Sequence, residues 1–257
     1  MKTIKYILSI LSVVYYQNTF SQIDLSVYKH VERIHVTSYW GNINAVGTFS
    51  GNEKEFTLGV THTNNSNITK RVDDVINYVS IEEKNKILYI ETRLPSGFES
   101  INLDLKIPED ILLEIKLIRG GEIFVDNFNN GVEINSLNGS VKLDRIGEYA
   151  IVNATNGEIV ANFKHLNKNK PVSLITMNGG VTIELPENCR RELRLISRKN
   201  GYIESDFKIE SSQKIANLNK KKYSKEAIIS TAKINGGGAL LFLSTENGPI
   251  AIKKSKI

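Results

Sequence analysis

Seven asparagines stand directly before a glycine, at Asn130, Asn138, Asn156, Asn178, Asn200, Asn235 and Asn247. Asn-Gly tolerates positive φ, so a chain punctuated this way corners or reverses at short intervals and leaves little length for helices. The glycines open a recurring unit of glycine, any residue, apolar, any residue, apolar. It reads Gly121-Glu-Ile-Phe-Val125, Gly139-Ser-Val-Lys-Leu143, Gly147-Glu-Tyr-Ala-Ile151, Gly157-Glu-Ile-Val-Ala161 and Gly179-Gly-Val-Thr-Ile183. Later copies are Gly238-Ala-Leu-Leu-Phe242 and Gly248-Pro-Ile-Ala-Ile252, with a weaker Gly201-Tyr-Ile-Glu-Ser205 and a shortened Gly131-Val-Glu-Ile134.

From Gly121 through Gly139, Gly157, Gly179 and Gly201 the steps are 18, 18, 22 and 22 residues. A fixed period near this length marks a solenoid in which each coil adds short strands to stacked sheets. Within a unit the alternation sends two apolar side chains to one face, where neighbouring coils bury them. Asn-Gly is also the preferred two-residue hairpin turn, so a meander of hairpins is the rival reading. Regular spacing favours the coil, and the expected fold is all-β, a single β-solenoid or β-helix-like body.

Upstream, β-rich segments run from Arg33 to Tyr39, Glu55 to His62, Tyr78 to Ile81 and Ile87 to Leu94. Ile101-Asn-Leu-Asp-Leu-Lys-Ile107 alternates without a break, as a half-buried strand does, and Leu112 to Ile118 repeats the pattern after a turn at Pro108. Residues 23–118 therefore supply less regular strands, and residues 119–252 the regular repeats. Between Phe207 and Glu226 the period breaks into a polar, basic loop, placed at residues 208–225, and the tail from Lys253 is expected to fray.

Residues 1–22 read as a signal peptide: Lys2 and Lys5 precede an apolar stretch from Tyr6 to Tyr16, and Thr19 and Ser21 suit cleavage before Gln22. The stretch is too short for a transmembrane helix, which needs about 20 residues. Export with one cysteine, Cys189, rules out an internal disulfide, and a small buried residue is the expected role of that thiol. The body spans the remaining residues 23–257.

Little in the chain has the spacing of a reaction centre. His30, His35, His62 and His165 match no metal-ligand motif, and no nucleophile elbow or phosphate loop is present. Asp126, Glu133, Asp144 and Glu158 occupy outward positions of successive repeats and form a candidate acidic stripe, the one arrangement that would suit carboxylate catalysis or Ca²⁺. Lys142 and Arg145 intersperse them, and a solvated sheet face is the favoured account. We expect no catalytic, cofactor or metal residues. The asparagines are expected to stack on one another in an amide ladder rather than to ligate sugar.

Charge is distributed unevenly. Residues 190–257 hold 15 Lys plus Arg against 6 Asp plus Glu, a net +9 within a chain of +5. Lys220, Lys221, Lys222 and Lys225 form the densest part and are the candidate binding residues, for an anionic glycan or cell-surface component. Aromatic residues do not interleave with them, which argues against nucleic acid. Lysines guarding the edge of a last coil are the structural alternative.

The succession of these elements resembles the bacterial family of "putative adhesins", domains of unknown function with a β-helix-like body. The cues are Gly41-Asn-Ile-Asn-Ala-Val-Gly47, a strand from Phe56 to Val60, Ile87-Leu-Tyr-Ile-Glu91, Leu105-Lys-Ile-Pro-Glu109 and then the Gly-x-Ile repeats, together covering residues 31–252. The resemblance implies an envelope location in the periplasm or at the surface, and a non-enzymatic, adhesin-like or scaffold role. The basic insertion departs from the pattern and puts the regularity of the last coils in question. A carbohydrate-active β-helix enzyme, and an envelope sensor or assembly partner, are the alternatives.

Overall fold

The computed structural model describes residues 20–49, 56–64, 75–93, 99–211, 215 and 218–255. Most of the expected leader lies outside them. The first strand, β1 (Phe20–Asp24), begins two residues ahead of the expected cleavage point.

The N-terminal strands are β2 (Arg33–Trp40), β3 (Ile43–Thr48), β4 (Thr57–Asn64), β5 (Val79–Lys84), β6 (Ile87–Thr92), β7 (Glu99–Pro108) and β8 (Leu112–Gly120). The repeat region gives β9 (Ile123–Asp126), β10 (Val132–Asn138), β11 (Val141–Ile146), β12 (Ala150–Asn156), β13 (Ile159–Phe163), β14 (Val172–Asn178) and β15 (Val181–Leu185). The C-terminal part adds β16 (Arg191–Lys199), β17 (Ile203–Ser205), β18 (Ile209–Glu210), β19 (Ile228–Ile234), β20 (Leu240–Asn247) and β21 (Ile250–Lys254). The only helical turns among the described residues are two short 3₁₀ segments, Ser26–Tyr28 and Val75–Tyr78, so the chain is all-β.

From β8 to β17 successive strands alternate between two sheets. One runs β1-β4-β7-β3-β9-β11-β13-β15-β21-β17, the other β18-β19-β16-β20-β14-β12-β10-β8-β2-β6-β5. Neighbours in the middle of both sheets are parallel and in register, as Val141 opposite Ile123 and Ile159, and Val132 opposite Leu113 and Ala150. That excludes a hairpin meander for the repeats. Antiparallel pairs occur towards the ends, at β1–β4, β4–β7, β5–β6, β16–β19 and β18–β19.

In-register stacking turns each inward position into a column. Ile123, Val141, Ile159, Val181, Ile250 and Ile203 make one, and Ile115, Ile134, Val152, Leu174, Leu243 and Leu195 make another from the opposite sheet. All of these side chains are buried and belong to one hydrophobic cluster. At about 25 cal/mol per Å² each fully buried Leu or Ile contributes roughly 1.5–3 kcal/mol, so repetition of two apolar positions per strand suffices for a core.

Three expectations need correction. The glycine-led unit is not one structural unit: Gly121, Gly139, Gly157, Gly179, Gly201 and Gly248 precede strands of one sheet, whereas Gly131, Gly147 and Gly238 precede strands of the other. The period of about 20 residues is thus a two-strand turn. The two-strand turns also do not stack in chain order. β20 and β21 lie between β14–β15 and β16–β17, so Gly248, and not Gly201, follows Gly179. The tail consequently does not fray at Lys253: β21 is internal to its sheet, and Ser255 N–H donates to Leu185 C=O at 2.8 Å. Lys253 and Lys254 are therefore away from a sheet edge, whereas Lys221 of the basic segment reaches Glu204 of β17, the terminal strand of that sheet.

Candidate functional site

The Asn-Gly motifs are consumed by the corner between the sheets. Gly121, Gly139, Gly157, Gly179 and Gly248 have φ of +140°, +122°, +137°, +149° and +156°. A Cβ on Gly139 would sit 1.7 Å from the carbonyl oxygen of Gly121, and one on Gly157 would sit 2.3 Å from that of Gly139. Only glycine lets coils approach this closely here. The preceding asparagines Asn138, Asn156, Asn178 and Asn247 keep ordinary backbone angles and act through their amides. Asn156 Nδ2 donates to Asn138 Oδ1 at 2.6 Å, Asn178 to Asn156 at 2.7 Å, and Asn247 to Asn178 at 2.8 Å. The ladder starts on the Arg119 carbonyl, which accepts from Asn138 at 2.6 Å.

A hydroxyl two residues before the asparagine completes some corners: Thr176 Oγ1 donates to Gly157 C=O at 2.9 Å and Thr245 Oγ1 to Gly179 C=O at 2.8 Å. Asn130, Asn200 and Asn235 stand outside the ladder. Asn200 and Asn235 take left-handed angles, and Asn235 donates to the Cys189 carbonyl at 2.8 Å.

The candidate acids do not converge. Asp126 and Asp144 are register neighbours on one sheet, yet Asp126 is 9 % exposed and gripped by the Arg145 guanidinium through both carboxylate oxygens. That hydrogen-bonded pairing raises the Arg145 pKa. Asp144 Oδ1 accepts from Asn162 Nδ2 at 2.9 Å. Glu133 lies on the other sheet, accepting from the Tyr149 hydroxyl at 3.0 Å, and burial with that bond pushes the phenol up to about 12. Glu158 is exposed at the glycine corner. A stripe for Ca²⁺ or for paired-carboxylate chemistry therefore does not form, because consecutive repeats contribute to different faces. Among the described residues no group of three or more His, Cys, Asp or Glu is placed to hold a metal ion.

The histidines are equally dispersed. His30 contacts Glu83 at 3.0 Å, His35 contacts Glu114 at 2.9 Å beside the Arg33–Glu114 pair, and His62 is buried in β4. Cys189 is buried, and burial lifts its thiol to about 11, which removes it as a nucleophile near neutral pH.

Lys220, Lys221, Lys222 and Lys225 are exposed on the chain between β18 and β19. Asn219 anchors this segment: its Oδ1 accepts from Ser205 N–H at 2.7 Å and its Nδ2 donates to Ser205 C=O at 3.2 Å. Lys221 reaches Glu204 of β17 at 3.4 Å, and the other three lysines have no carboxylate partner among the described residues. Tyr202 and Tyr223 meet edge to face beside them, with ring centroids 5.3 Å apart.

A second cationic group escaped the sequence reading. The loop after β13 and the loop after β15 border a half-open pocket of about 450 Å³ lined by Lys164, His165, Lys168, Arg190, Arg191 and Cys189, among others. Its members are split between 164–168 and 189–191, and no single run of charge announces them. The available signal was the spacing: both loops end a strand of the same sheet, one coil apart. Among the described residues, no helix is long and apolar enough to cross a membrane.

No family model and no curated protein matches the chain. Among solved structures, it is similar to a "putative cell adhesion protein" from Clostridium sporogenes, at 13% identity and a TM-score of 0.52, covering 93% of this chain and 100% of that one. A "putative adhesin" from Bacteroides fragilis aligns over 94% of this chain and 98% of its own at 10% identity and a TM-score of 0.36. The first likeness establishes a shared all-β fold.

Proposed function

We propose that this chain is an exported, non-enzymatic β-solenoid of the bacterial cell envelope, an adhesin-like or scaffold module that meets an anionic glycan or cell-surface component. The observation that carries the reading is the exposed basic segment. Lys220, Lys222 and Lys225 project from a loop pinned by Asn219, with no carboxylate partner among the described residues. A fixed set of cations with Tyr223 exposed beside them suits a sulfated or carboxylated sugar chain, since charge draws the polymer in and an aromatic edge contacts its rings. The similarity to the clostridial structure supports the fold on which this rests, and the adhesin label is brought from it by analogy.

In-register parallel coils built on glycine corners support the solenoid reading, which treats the chain as a rigid rod with side-chain columns. The test is binding of the purified mature chain to an array of sulfated, uronic-acid and neutral glycans. Lys220→Gln/Lys221→Gln/Lys222→Gln is expected to abolish retention on the acidic members. Retention unchanged by the triple variant removes the basic segment from the account, and no retention on any glycan or cell surface leaves only a scaffold.

A further inference from the structure

The pocket between the loops after β13 and β15 holds a buried charge with no carboxylate partner among the described residues. Arg191, the first residue of β16, is 1 % exposed. Its Nη1 donates to the Lys170 carbonyl and its Nη2 to the Asn167 carbonyl, each at 2.8 Å, while Nε has no partner among the described residues. No carboxylate among the described residues pairs with it, and the nearby Cys189 thiol is neutral at physiological pH. Carbonyl dipoles satisfy two edges of a guanidinium, but a fully buried positive charge normally has an anion close by.

The surroundings add charge of the same sign. Lys168 and Arg190 are exposed at the pocket wall and carry no carboxylate partner among the described residues. Lys164 is tethered, 3.1 Å from Asn127 Oδ1 and 3.8 Å from Glu109. The carboxylates that could neutralise the pocket are engaged elsewhere: Glu148 with Lys170, and Glu187 with Lys254 at 2.6 Å. His165 is seated over Gly147, where a Cβ would fall 2.6 Å from its Cε1, so its ring is held against the next coil. Asn235 ties the other wall by donating to the Glu187 and Cys189 carbonyls.

We propose that this pocket is a binding site for a sugar residue bearing a carboxylate or phosphate group, with the anion directed towards Arg191 and flanked by Lys168 and Arg190. A cavity of about 450 Å³ is within the usual range for small-ligand sites and is roomy for a single sugar ring. Arg191, with both Nη atoms on carbonyls, attracts the anion through its charge, the exposed Arg190 fork matches the two oxygens of a carboxylate or phosphate, and His165 and Asn188 on the pocket wall supply partners for ring hydroxyls. The site deepens the glycan-binding reading by naming a second, half-open position for the acidic sugar, and it rests on that reading only for the nature of the ligand.

The experiment is titration of the purified mature chain with D-glucuronate, glucose 6-phosphate, inorganic phosphate and neutral glucose, followed by the thermal midpoint and by the His165 imidazole resonances. Glucuronate or the sugar phosphate is expected to bind at about 1 mM or tighter, to raise the midpoint and to shift His165, while glucose does neither. Lys168→Gln/Arg190→Gln changes exposed side chains only. It is expected to keep the ligand-free midpoint and to weaken binding at least tenfold, whereas Lys220→Gln/Lys221→Gln/Lys222→Gln leaves it intact. A role of Arg191 purely as a brace for the 164–171 loop predicts no ligand response in the wild type, and a response unchanged in Lys168→Gln/Arg190→Gln places the ligand outside this pocket. Either result overturns the site, as does equal response to glucose. Response to inorganic phosphate but to neither sugar overturns the sugar assignment. If the pocket fails while the triple lysine variant still abolishes glycan retention, the general function stands; if glycans are not retained but the pocket titrates, the reverse holds.

Discussion

Replacing Gly179 by alanine separates the corner geometry from any general effect of filling a glycine. A Cβ there would sit 2.3 Å from the Gly157 carbonyl oxygen and 2.6 Å from its carbon, at a φ of +149° that L-residues rarely adopt. Relief requires opening the coil spacing of about 4.8 Å by roughly 1 Å. That movement breaks the ladder bonds on either side, in which Gly157 N–H donates to Asn178 C=O at 2.8 Å and Ile159 N–H to Gly180 C=O at 3.0 Å. Two lost hydrogen bonds at about 1 kcal/mol each, with backbone strain of about 1–3 kcal/mol, give a destabilisation of roughly 3–5 kcal/mol. Gly180, its neighbour, has ordinary backbone angles, and its nearest obstacle is Pro249 Cγ at 3.4 Å. Gly180→Ala should therefore stay within about 1 kcal/mol of wild type. Urea unfolding followed by far-UV circular dichroism reads both, and the expected result is a midpoint lowered by about 1–2 M for Gly179→Ala alone. Equal midpoints for the two variants would refute the close-approach argument.

Asn156→Asp removes the amide donor to Asn138 while Asn200 lies off the ladder; urea midpoints should fall by about 1 kcal/mol equivalent for the first and stay put for Asn200→Asp. Cys189, with its thiol near 11 against an ordinary 9.0, should react about 100-fold more slowly with a thiolate-specific reagent at pH 8 in the folded protein than in urea. Comparable rates would contradict its burial. The Glu148 carboxyl is held below its ordinary 4.5 mainly by the hydrogen bond from Lys170. Its folded pKa is depressed, so its contribution is complete above pH 4.5 and is lost as pH falls through the folded value. Glu148→Gln should therefore be less stable than wild type at pH 7 by no more than about 1 kcal/mol, with the gap closing towards pH 3.

Much of the architecture was legible because stacked parallel strands repeat their own sequence. Alternation in Ile123–Val125, Val141–Leu143 and Ile159–Ala161 gave strands of the right phase, and glycine spacing matched the distance between successive strands of one sheet. Assignment of strands to sheets was not legible, since Gly131 and Gly147 look like corner glycines but seat rings: a Cβ on Gly131 would lie 1.9 Å from Tyr149 Cε1. Coil order was hidden for a similar reason. Leu193 and Leu195 of β16 and Leu241 and Leu243 of β20 fill equivalent columns, so hydrophobicity alone does not say which strand follows β14. The corner chemistry does. Thr176-Met-Asn-Gly179 and Thr245-Glu-Asn-Gly248 share one pattern, whereas Ser197-Arg-Lys-Asn-Gly201 carries an extra residue and places Lys199 opposite Asn247. The basic segment at Lys220–Lys225 was visible as a run of charge. The pocket at Arg191 was not, because it depends on two loops one coil apart and on burial of an arginine beside exposed ones.

The out-of-order stack is the central structural claim, and paired cysteines test it directly. In a Cys189→Ala background, Ser173→Cys/Phe242→Cys joins residues in register on neighbouring parallel strands, while Ser173→Cys/Arg194→Cys spans two strand spacings, about 9.6 Å. Disulfides need Cα atoms within about 7 Å. Mild oxidation of the folded protein should cross-link the first pair fully and the second hardly at all; efficient closure of Ser173→Cys/Arg194→Cys would show that β16 follows β14 and contradict the inserted β20.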